Sequence, residues 1–433
     1  MQAIKKIVIS ILIWESRIIV AKYKPFVVAV TGSVGKTSAK DAIYSVVKYS
    51  SKYARKSEKS MNSEIGLPLT IIGVPNAWRD AGGWLRNICQ GLELIIGRSE
   101  YPDCLVLEIG ADHPGDIRKI AKWLHPDIVV MTRVSDTPVH VEFFASPQEV
   151  FKEKAYLAKA VKNDGTLVLL ADDEKVMGLA QGAKESSGKC AKVISYGTNS
   201  TANVRGSEFV SSLEGISFNI SIDGGSALPV TAKGVLGSTY MYPLLAAAST
   251  GKARGMSVAD IAKGLAEYEA PLGRMNIIAG VNGSMIIDDT YNSSPEAAMS
   301  ALDALAQIGS SSRKIVAFGD MLELGKYAAD EHRRVGIRVA EVAGILVTVG
   351  QRSRMSMVEG AISGGMKSEN IHSFDSSGEA ADFLRSNVIS GDLILVKGSQ
   401  STRMERVSAA LLREPQKAAT LLVRQEKEWL EKK

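Results

Sequence analysis

The sequence predicts an α/β fold in two parts: a central domain built on a mainly parallel, doubly wound sheet, and a C-terminal Rossmann-like α/β domain. Residues 25–31 form an apolar strand pattern, and a glycine-rich turn leads from it into a helix predicted at 36–49. Short apolar runs and helical stretches alternate after this point, as is typical of a parallel sheet covered by helices on both faces. A second series with the same alternation begins after residues 270–273.

The strands of the first part are short apolar runs, expected after the first one at 105–108, 128–131 and 167–170. From Phe209 to Val230 the sequence alternates and is rich in Gly and Ser, which predicts a local antiparallel excursion. Two helices are expected next, at about 240–253 and 257–268. The strands of the second part are expected near 285–289, 314–318, 345–349, 371–374 and 392–396.

These patterns divide the chain into four segments. An amphipathic N-terminal helix (1–24) precedes the central domain (25–270), and the C-terminal domain (271–415) is followed by a charged helical tail (416–433) with no obvious partner. The boundary near residue 270 depends on Ala270-Pro271-Leu272-Gly273, because proline and glycine interrupt regular elements.

The composition is that of an ordinary soluble globular protein. The chain has 433 residues, of which 45% are hydrophobic and 23% charged, and this length allows two or three domains. The net charge of +5 suits anionic substrates such as nucleotides, but no basic stripe of the kind found in nucleic-acid-binding proteins is present. We therefore expect that the protein does not bind nucleic acid. The cysteines lack zinc or disulfide spacing, so we expect a cytoplasmic protein.

The N-terminal segment allows two interpretations. Its apolar run is too short to span a bilayer, which takes about 20 residues, and no signal-peptide cleavage site follows it. We favour a helix packed on the body of the protein. The alternative is a peripheral contact of residues 1–22 with the inner face of the membrane, in which lipid headgroups are met by Lys5, Lys6, Lys22 and Lys24.

A phosphate-binding loop for ATP is predicted where the first strand turns into its helix, in the segment Thr31-Gly32-Ser33-Val34-Gly35-Lys36-Thr37-Ser38. Glycines let the backbone fold tightly so that its N–H groups point at phosphate oxygens, and the helix N-terminus adds positive potential. Lys36 is placed to reach the outer phosphates, and the Thr37 hydroxyl is placed to bind Mg²⁺. The loop is a variant, because Val30 stands where the general pattern has glycine.

Three further residues are candidates for a metal site. Glu108 ends a predicted strand, at the edge of the sheet where ligands bind, and a glutamate beside a phosphate loop is a candidate Mg²⁺ ligand. His140 lies in a polar loop, where a histidine is more often a surface or packing residue. Lys154 lies on a helix that begins after the N-cap Ser146. An ammonium group has no lone pair for a metal, so from the residues alone Lys154 is one of several charges on that helix.

Several motifs resemble those of the Mur ligase family, and the resemblance runs from about residue 25 to 410. They are specific in combination: TGSVGKTSAK (31–40), NSEIGLPLT (62–70), EIGADHPGDI (108–117), HVEFF (140–144), PLGRMN (271–276), DDTYNSSPEA (288–297), FGDMLELG (318–325) and VKGS (396–399). The two motifs at 288–297 and 318–325 favour the branch that adds D-alanyl-D-alanine to a muramyl tripeptide in peptidoglycan synthesis.

The resemblance implies ATP-dependent amide formation. ATP phosphorylates a substrate carboxylate, and the incoming amine then attacks the acyl phosphate. Lys36 and the loop backbone are expected to hold the phosphates, and Thr37 and Glu108 one Mg²⁺. A second Mg²⁺ is expected on Glu108, His140 and a carbamylated Lys154, whose added CO₂ supplies an anionic oxygen. Two ions screen the like charges of phosphate and carboxylate as they approach each other.

The resemblance also implies binding residues outside the loop. Nucleotide contacts are expected from Arg274, Asp289, Tyr291 and Asn292. Muramyl-peptide contacts are expected from Asn62, Glu64 and Pro68, and contacts with the incoming dipeptide from Asp320, Glu323 and His332. Structural alternatives exist: an interdomain ion pair for Arg274, a helix N-terminal charge cluster for Asp288 and Asp289, and a solvated helix position for His332.

Three features depart from the family pattern. Only about 24 residues precede the central domain, where this branch carries a UDP-binding domain. Tyr240 and Pro243 stand where asparagines usually contact adenine and ribose, which affects nucleotide preference. Arg133 replaces an asparagine that usually follows the third strand.

Two alternatives to the leading function stay open. The short N-terminal segment favours a related ligase with a different carboxylate acceptor, such as a lipid-linked or UDP-free peptide or a poly-amino acid. A non-catalytic nucleotide-binding partner subunit is the other alternative. It is disfavoured because a scaffold has no need for the joint retention of Lys36, Thr37, Glu108, His140 and Lys154.

Overall fold

The computed structural model describes residues 2–58, 61–78, 80–181, 191–309 and 312–431. The first part begins with helix α1 (Gln2–Tyr23), and its sheet is built from β1 (Phe26–Thr31), β2 (Ala54–Lys56), β3 (Cys104–Glu108), β4 (Ile128–Met131), β5 (Thr166–Leu170), β6 (Lys192–Gly197), β7 (Val204–Ser212), β8 (Gly215–Ile222) and β9 (Leu228–Lys233). The helices that accompany these strands are α2 (Lys36–Val47), α3 (Gly66–Ile72), α4 (Ala81–Ile96), α5 (Asp116–Ala121), α6 (Pro147–Lys159), α7 (Glu174–Met177), α8 (Met241–Ala253) and α9 (Val258–Ala266).

The first sheet confirms the predicted doubly wound arrangement. Its strand order is β2-β3-β1-β4-β5-β6-β7-β8-β9, and the strands from β2 to β7 are parallel to their neighbours. The strands β7, β8 and β9 are antiparallel, which is the excursion expected between Phe209 and Val230. Strand β1 lies between β3 and β4, so the loop after it faces the carboxyl ends of both neighbours.

The second part has a six-stranded sheet. Its strands are β10 (Asn276–Ala279), β11 (Met285–Asp289), β12 (Lys314–Gly319), β13 (Ile345–Val349), β14 (Ile371–Phe374) and β15 (Leu393–Lys397), in the order β10-β11-β15-β12-β13-β14. Only β10 pairs in the antiparallel sense. The helices are α10 (Pro295–Gln307), α11 (Ala328–Val342), α12 (Val358–Ser363), α13 (Ser377–Asn387), α14 (Glu405–Leu411), α15 (Ala418–Leu421) and α16 (Lys427–Leu430).

The proposed boundary near residue 270 falls between the last strand of the first sheet and the first strand of the second. The two parts are joined across it by backbone hydrogen bonds, from the Leu236 amide to the Met275 carbonyl (3.2 Å) and from the Ile277 amide to the Gly234 carbonyl (2.9 Å). They also meet beside the predicted site, where the Thr137 hydroxyl donates to Glu331 at 2.7 Å.

Helix α1 packs on the first part against α3 and α4, and Leu12 and Ile19 on its inner face are fully buried. This matches the interpretation of a helix attached to the body of the protein. Within the residues that the structure describes, no helix is both long enough and apolar enough to cross a bilayer.

Candidate functional site

The loop after β1 has the geometry of a phosphate cradle. Gly32 has φ of 147°, and a Cβ at this position would lie 2.0 Å from the Thr132 hydroxyl, so only glycine fits against the end of β4. Gly35 adopts a left-handed φ of 83° directly before α2. The amides of Ser33 and Val34 donate to the Arg133 carbonyl at 2.8 and 3.3 Å, which fastens the loop to the neighbouring strand. The N-terminus of α2 therefore opens into the pocket as a site for anions.

Lys36 begins α2 and lies over this loop. Its Nζ donates to the Ser33 carbonyl at 3.3 Å, and it lines a pocket together with Thr37 and Glu108. Burial is the main reason that the pKa of Lys36 is lowered, and the nearby Arg274 guanidinium lowers it further, while Glu108 opposes both effects. An anionic phosphate in the pocket would restore the preference for the charged amine.

Glu108 is the last residue of β3 and is buried beside the loop. The side-chain amide of Asn62 donates to Glu108 Oε1 at 3.1 Å, and the backbone amide of Glu108 donates to the Ser57 hydroxyl at 3.1 Å. The first contact orients the carboxylate, and the second holds the backbone at the end of β3. Asn62 was predicted to contact the peptide, and the structure brings it to the edge of the same pocket.

Lys154 is separated from its charged neighbours by the way α6 packs. Glu153 turns towards α5, where its carboxylate accepts from the amides of Gly115 and Arg118 at 3.0 and 2.9 Å. Lys152 is exposed and pairs with Glu149. Glu153 and Lys154 are both buried, but of the three charged residues only Lys154 lines the pocket with Lys36. Burial, and secondly the positive charge of Lys36, lower the pKa of Lys154 to about 7.

His140 lies in the same pocket, in a left-handed conformation with φ of 70°. Its Nε2 is 3.4 Å from Asp112 Oδ1, and its Nδ1 is 2.7 Å from Glu323 Oε2. The contact with His140 is the main reason that the pKa of Glu323 is lowered. Glu323, which was expected to contact the dipeptide, therefore links the second part to this side of the pocket.

The second part supplies the opposite wall. Arg274, Tyr291 and Asn292 line the pocket that contains Lys36 and Lys154. The Arg274 guanidinium stacks over the Tyr291 ring at 4.3 Å. This is a cation–π contact within the second part, and not the interdomain ion pair that was the alternative to its predicted nucleotide contact. The Nε of Arg274 is buried without a hydrogen-bond partner among the described residues.

Asp289 lies in a neighbouring pocket and is held by a buried lysine. Lys397 Nζ donates to Asp289 Oδ2 at 2.5 Å and to the Asn292 carbonyl at 2.9 Å. Burial lowers the pKa of Lys397, and the Asp289 carboxylate opposes this shift. Asp288 points to the opposite side of β11 and is fully buried. Both aspartates end a strand, so they are not the helix N-terminal cluster that was the alternative interpretation.

The neighbouring pocket also contains the residues expected beside the nucleobase. Tyr240 and Pro243 line it, and the Tyr240 hydroxyl donates to the Arg274 carbonyl. Tyr242 lines it as well; its hydroxyl donates to Asp172 at 3.1 Å, and the Arg133 guanidinium lies 5.6 Å from its ring centre. Arg133 and Tyr242 thus form a cation–aromatic pair that lines this pocket, and we call this pair the nucleobase platform.

Four predicted substrate residues lie elsewhere. Glu64 is partly exposed and lies 4.0 Å from Lys119, while Pro68 is buried within α3. Asp320 accepts from the Ser353 amide at 2.7 Å. Neither described pocket is lined by any of the four.

His332 is the fourth of these residues, and its solvated interpretation needs correction. It is fully buried. Its Nε2 accepts from the Met321 amide at 3.0 Å, and its Nδ1 lies 2.7 Å from the Ala328 carbonyl. Burial lowers its pKa. Nε2 thus holds the segment around Met321, while Nδ1 is occupied by the first turn of the helix that carries His332.

Sequence reasoning gave no role to Asp112, Tyr242, Lys397 or Arg424. The sequence pattern could have indicated Asp112 and Lys397, because the first follows and the second ends a parallel strand at the edge of the sheet where ligands bind. Arg424 offered no such signal. It lies in the tail, where it is buried and donates to the Thr290 carbonyl at 2.9 Å and to the Tyr291 carbonyl.

The described residues contain no cluster of three or more His, Cys, Asp or Glu side chains arranged to hold a metal ion. The predicted ligand set includes only two such residues, Glu108 and His140, so the absence of a larger cluster does not bear on that set. All four predicted ligands line one pocket: Thr37, Glu108, His140 and Lys154.

Comparison with known proteins matches two family models to the chain. The "Mur ligase middle domain" matches residues 88–251, and the "Mur ligase, glutamate ligase domain" matches residues 273–400. The curated UDP-N-acetylmuramoyl-tripeptide–D-alanyl-D-alanine ligase of Bacillus subtilis is 26% identical over 392 residues, covering 90% of this chain and 76% of that protein. The enzyme of the same name from Mycobacterium leprae is 29% identical, covering 89% and 73%.

Among solved structures, the MurF ligase of Thermotoga maritima in complex with ADP is 25% identical, with a TM-score of 0.76 over 94% of this chain and 84% of that chain. The two family models together span more than half of the chain, and they cover the segments that form most of both walls of the pocket. The chain belongs to the Mur ligase family, and it is an ATP-dependent, amide-forming ligase.

Proposed function

We propose that this protein joins D-alanyl-D-alanine to a muramyl tripeptide at the expense of ATP. The observation that carries the proposal is one pocket lined by Lys36, Glu108 and Lys154 from the first part and by Arg274 and Asn292 from the second. Cationic groups and a fixed carboxylate that converge on one space are what phosphoryl transfer to a carboxylate requires. The names of the Bacillus subtilis and Mycobacterium leprae relatives support the choice of substrates.

In the proposed reaction, a carboxylate of the tripeptide attacks the terminal phosphorus of ATP, ADP leaves, and an acyl phosphate forms. The amine of D-alanyl-D-alanine then attacks the acyl carbon, phosphate leaves, and the amine loses a proton as the amide forms. Lys36 and the amides of the loop hold the phosphoryl group on one side. Arg274 faces them from the second part, where a positive charge compensates the charge that develops during transfer.

Mg²⁺ fits the donors of this pocket. The Thr37 hydroxyl and the Glu108 carboxylate are the hard oxygen ligands that Mg²⁺ prefers, and Asn62 keeps the carboxylate oriented. The proposed ligands of a second ion are Glu108, His140 and a carbamylated Lys154. When bound, the two ions neutralise the phosphate and carboxylate charges as these groups approach each other.

The surroundings of Lys154 support carbamylation. Its amine is buried, and its pKa is lowered to about 7, so a large share of the amine is neutral near neutral pH. A neutral amine attacks CO₂ and loses one proton, which gives a carbamate with one negative charge. The neighbouring Lys36 favours that negative charge as strongly as it disfavours the ammonium.

Lys154→Ala tests this role. Lys152→Ala is the matched control, because Lys152 lies two residues earlier on the opposite face of the same helix. We expect phosphate release to fall by about 100-fold in Lys154→Ala and to stay within twofold in Lys152→Ala, because Lys152 is exposed and paired with Glu149. Full activity of Lys154→Ala in buffer depleted of CO₂ and in buffer saturated with it would exclude the carbamate.

The carrier of the acceptor peptide is either a nucleotide or a lipid. Helix α1 packs against α3, and α3 follows the segment that contains Asn62 and Glu64. A peripheral contact of α1 with the inner face of the membrane would therefore hold the peptide site close to lipid-linked substrates. We propose this location, and a direct comparison of UDP-linked with lipid-linked tripeptide under otherwise equal conditions tests it.

Phosphate release from ATP, measured with defined pairs of carboxylate and amine, tests the main proposal. We expect release to depend on both a muramyl tripeptide and D-alanyl-D-alanine, and mass spectrometry to find the amide product. Release with glutamate or a poly-amino acid acceptor, and none with muramyl peptides, would favour the alternative ligase. ATP binding without release for every pair would favour the non-catalytic partner subunit.

A further inference from the structure

Helices α1 and α4 lie side by side on the outside of the first part, and both turn apolar side chains towards solvent. On α1, the outward residues recur at helical spacing: Ile7, Ile11, Trp14 and Ile18. Ile7 is 59% exposed and Trp14 is 51% exposed. A helix on the surface of a soluble protein usually turns polar residues outward, so this face departs from the expected pattern.

Helix α4 departs from the pattern more strongly. Its fully buried residues are small or polar: Gly83, Asn87 and Gly91. Its apolar stripe lies at the edge and on the outside of the helix: Leu85, Ile88, Leu92 and Ile96. Leu85 is 64% exposed and Ile96 is 82% exposed. The helix therefore leaves much of its apolar surface in contact with water.

The two stripes form one surface, because contacts between the helices fix their register. The carboxylate of Glu15 packs against Gly91, where a Cβ would lie 2.3 Å from Glu15 Oε2. Two turns later, Lys22 Nζ donates to carbonyl oxygens at the end of α4, those of Leu94 (2.9 Å), Ile95 (3.0 Å) and Gly97. The helices thus run in the same direction, and the outward side of each stripe borders the other. We call the eight side chains of these stripes the α1–α4 surface.

The charges beside this surface are almost all basic. On α1, the exposed charged side chains among residues 5–23 are Lys5, Lys6, Arg17 and Lys22. The single acidic residue of α1, Glu15, is fully buried against α4. On α4, Arg86 is exposed and pairs with Asp80, and Glu93 is the one exposed acid of the helix.

We propose that the α1–α4 surface docks on a bilayer that contains anionic lipid, with both helices lying in the plane of the headgroups. Apolar stripes that include a tryptophan, flanked by lysine and arginine, are the features that bind such an interface. Neither helix is able to span the bilayer. The apolar side chains enter the acyl boundary, while Lys5, Lys6 and Arg17 meet lipid phosphates. The proposal rests on the membrane location of α1 proposed above and extends it to α4. None of these residues lines either pocket, so docking can be tested separately from the ligase reaction.

Vesicle flotation tests this proposal. The full chain is mixed with vesicles of phosphatidylcholine alone or with 30% phosphatidylglycerol, a composition chosen at about the anionic content that attracts basic segments. We expect the protein to float with the anionic vesicles, less so in high salt. The triple variant Trp14→Gln, Leu85→Gln, Ile96→Gln is expected to lose at least about tenfold in binding. The matched control carries Ile337→Gln, Ile362→Gln and Ile389→Gln, which are exposed apolar residues of the second part.

Two results would overturn the proposal. One is flotation that is absent with both vesicles or equal for the triple variant and its control. The other is that the wild type does not bind vesicles but forms a dimer or a stable protein complex, which the triple variant loses. The surface would then belong to a protein interface. Phosphate release without vesicles, measured on the same variants, is expected to be unchanged. It separates the failure of docking from failure of the ligase function.

Discussion

The two walls of the pocket differ in how many of their buried charged side chains form ion pairs. On the first wall, neither Lys36 nor Lys154 forms an ion pair with any described residue, and burial lowers the pKa of both. On the second wall, Arg274 also faces the pocket without an ion pair to any described residue. Behind it, Lys397 is paired with Asp289, and Arg424 with Glu405. Buried charges without partners cost stability, and a ligand of opposite charge recovers that cost. Lys36, Lys154 and Arg274 are therefore available to a bound anion, whereas the paired Lys397 and Arg424 hold the shape of the second wall.

The largest expected effect is on the first wall. Lys36→Ala is expected to lower phosphate release by about 100- to 1,000-fold, the range found when one preorganised charge donor is removed from a transition state. The free energy of unfolding should change little or increase, since the variant no longer buries an unpaired amine. Steady-state kinetics and urea denaturation measure the two quantities. Lys48→Ala, on the exposed end of the same helix, is the control.

A large loss of stability in Lys36→Ala, equal to the loss in activity, would contradict this view of the first wall. It would mean that the lysine supports the loop in the absence of nucleotide, as the charged residues of the second wall do for their own segments.

The next effect concerns the second wall. Arg424 contacts the carbonyls of Thr290 and Tyr291 and the carboxylate of Glu405, all from within the body of the protein. Arg424→Ala is expected to lower the free energy of unfolding by about 3 kcal/mol, because it leaves a buried carboxylate with one partner fewer. Chemical denaturation measures it, and Arg413→Ala, an exposed position near the same tail, is the control. An unchanged midpoint would show that the tail is not part of the wall.

Asp288 gives an effect that depends on pH and that is smaller than that of Arg424→Ala over a change of one or two pH units. Burial raises its pKa to about 7, although Ser408 and Thr290 donate to its Oδ1 at 2.7 and 2.9 Å. Between pH 4 and 7 the folded protein holds a proton that the unfolded chain has lost, so stability falls as pH rises through this window, by up to about 1.4 kcal/mol per unit. Asp288→Asn should flatten this slope, because its amide does not titrate. Denaturation midpoints at pH 4, 5.5 and 7 test the expectation, and an unchanged slope would assign it to other groups.

The sequence was sufficient for most of the fold because the buried parallel strands are continuous apolar runs. Strands β4, β11, β13 and β14 match the predicted residues to the last position. Strand β2 was missed, since Ala54-Arg55-Lys56 is too short and polar to be distinguished from a loop. The hydrophobic pattern that predicts a strand reflects the burial of its side chains, so a strand that buries few side chains shows no such pattern.

The site was less predictable, and the reason again differs between the walls. Lys36 and Glu108 lie within one strand–loop–helix pattern, so local sequence indicated their positions. Lys154 was selected by family resemblance, since only the packing of α6 separates it from Lys152 and Glu153. The contact of Arg424 with the Tyr291 carbonyl joins residues more than 130 positions apart and has no local pattern. For His332, the sequence allowed a dipeptide contact or a solvated position, and it did not reveal that the ring is buried with both nitrogens in contact with the backbone.

The smallest expected effect lies where the two walls meet, at the nucleobase platform of Arg133 and Tyr242. Stacking of a base on an aromatic ring contributes about 1–3 kcal/mol, so Tyr242→Leu should raise the KM for ATP by about 5- to 150-fold. The kcat should be preserved, because the phosphates are held by a separate loop on the first wall. Tyr242→Phe keeps the ring and loses only the hydrogen bond to Asp172, so its KM should stay within twofold. If Tyr242→Phe raises the KM for ATP as much as Tyr242→Leu does, the hydroxyl contact with Asp172 positions the nucleotide, and the ring is not the platform. Because stacking discriminates poorly between purines, GTP should replace ATP in the wild type with a smaller penalty than the loss caused by Tyr242→Leu.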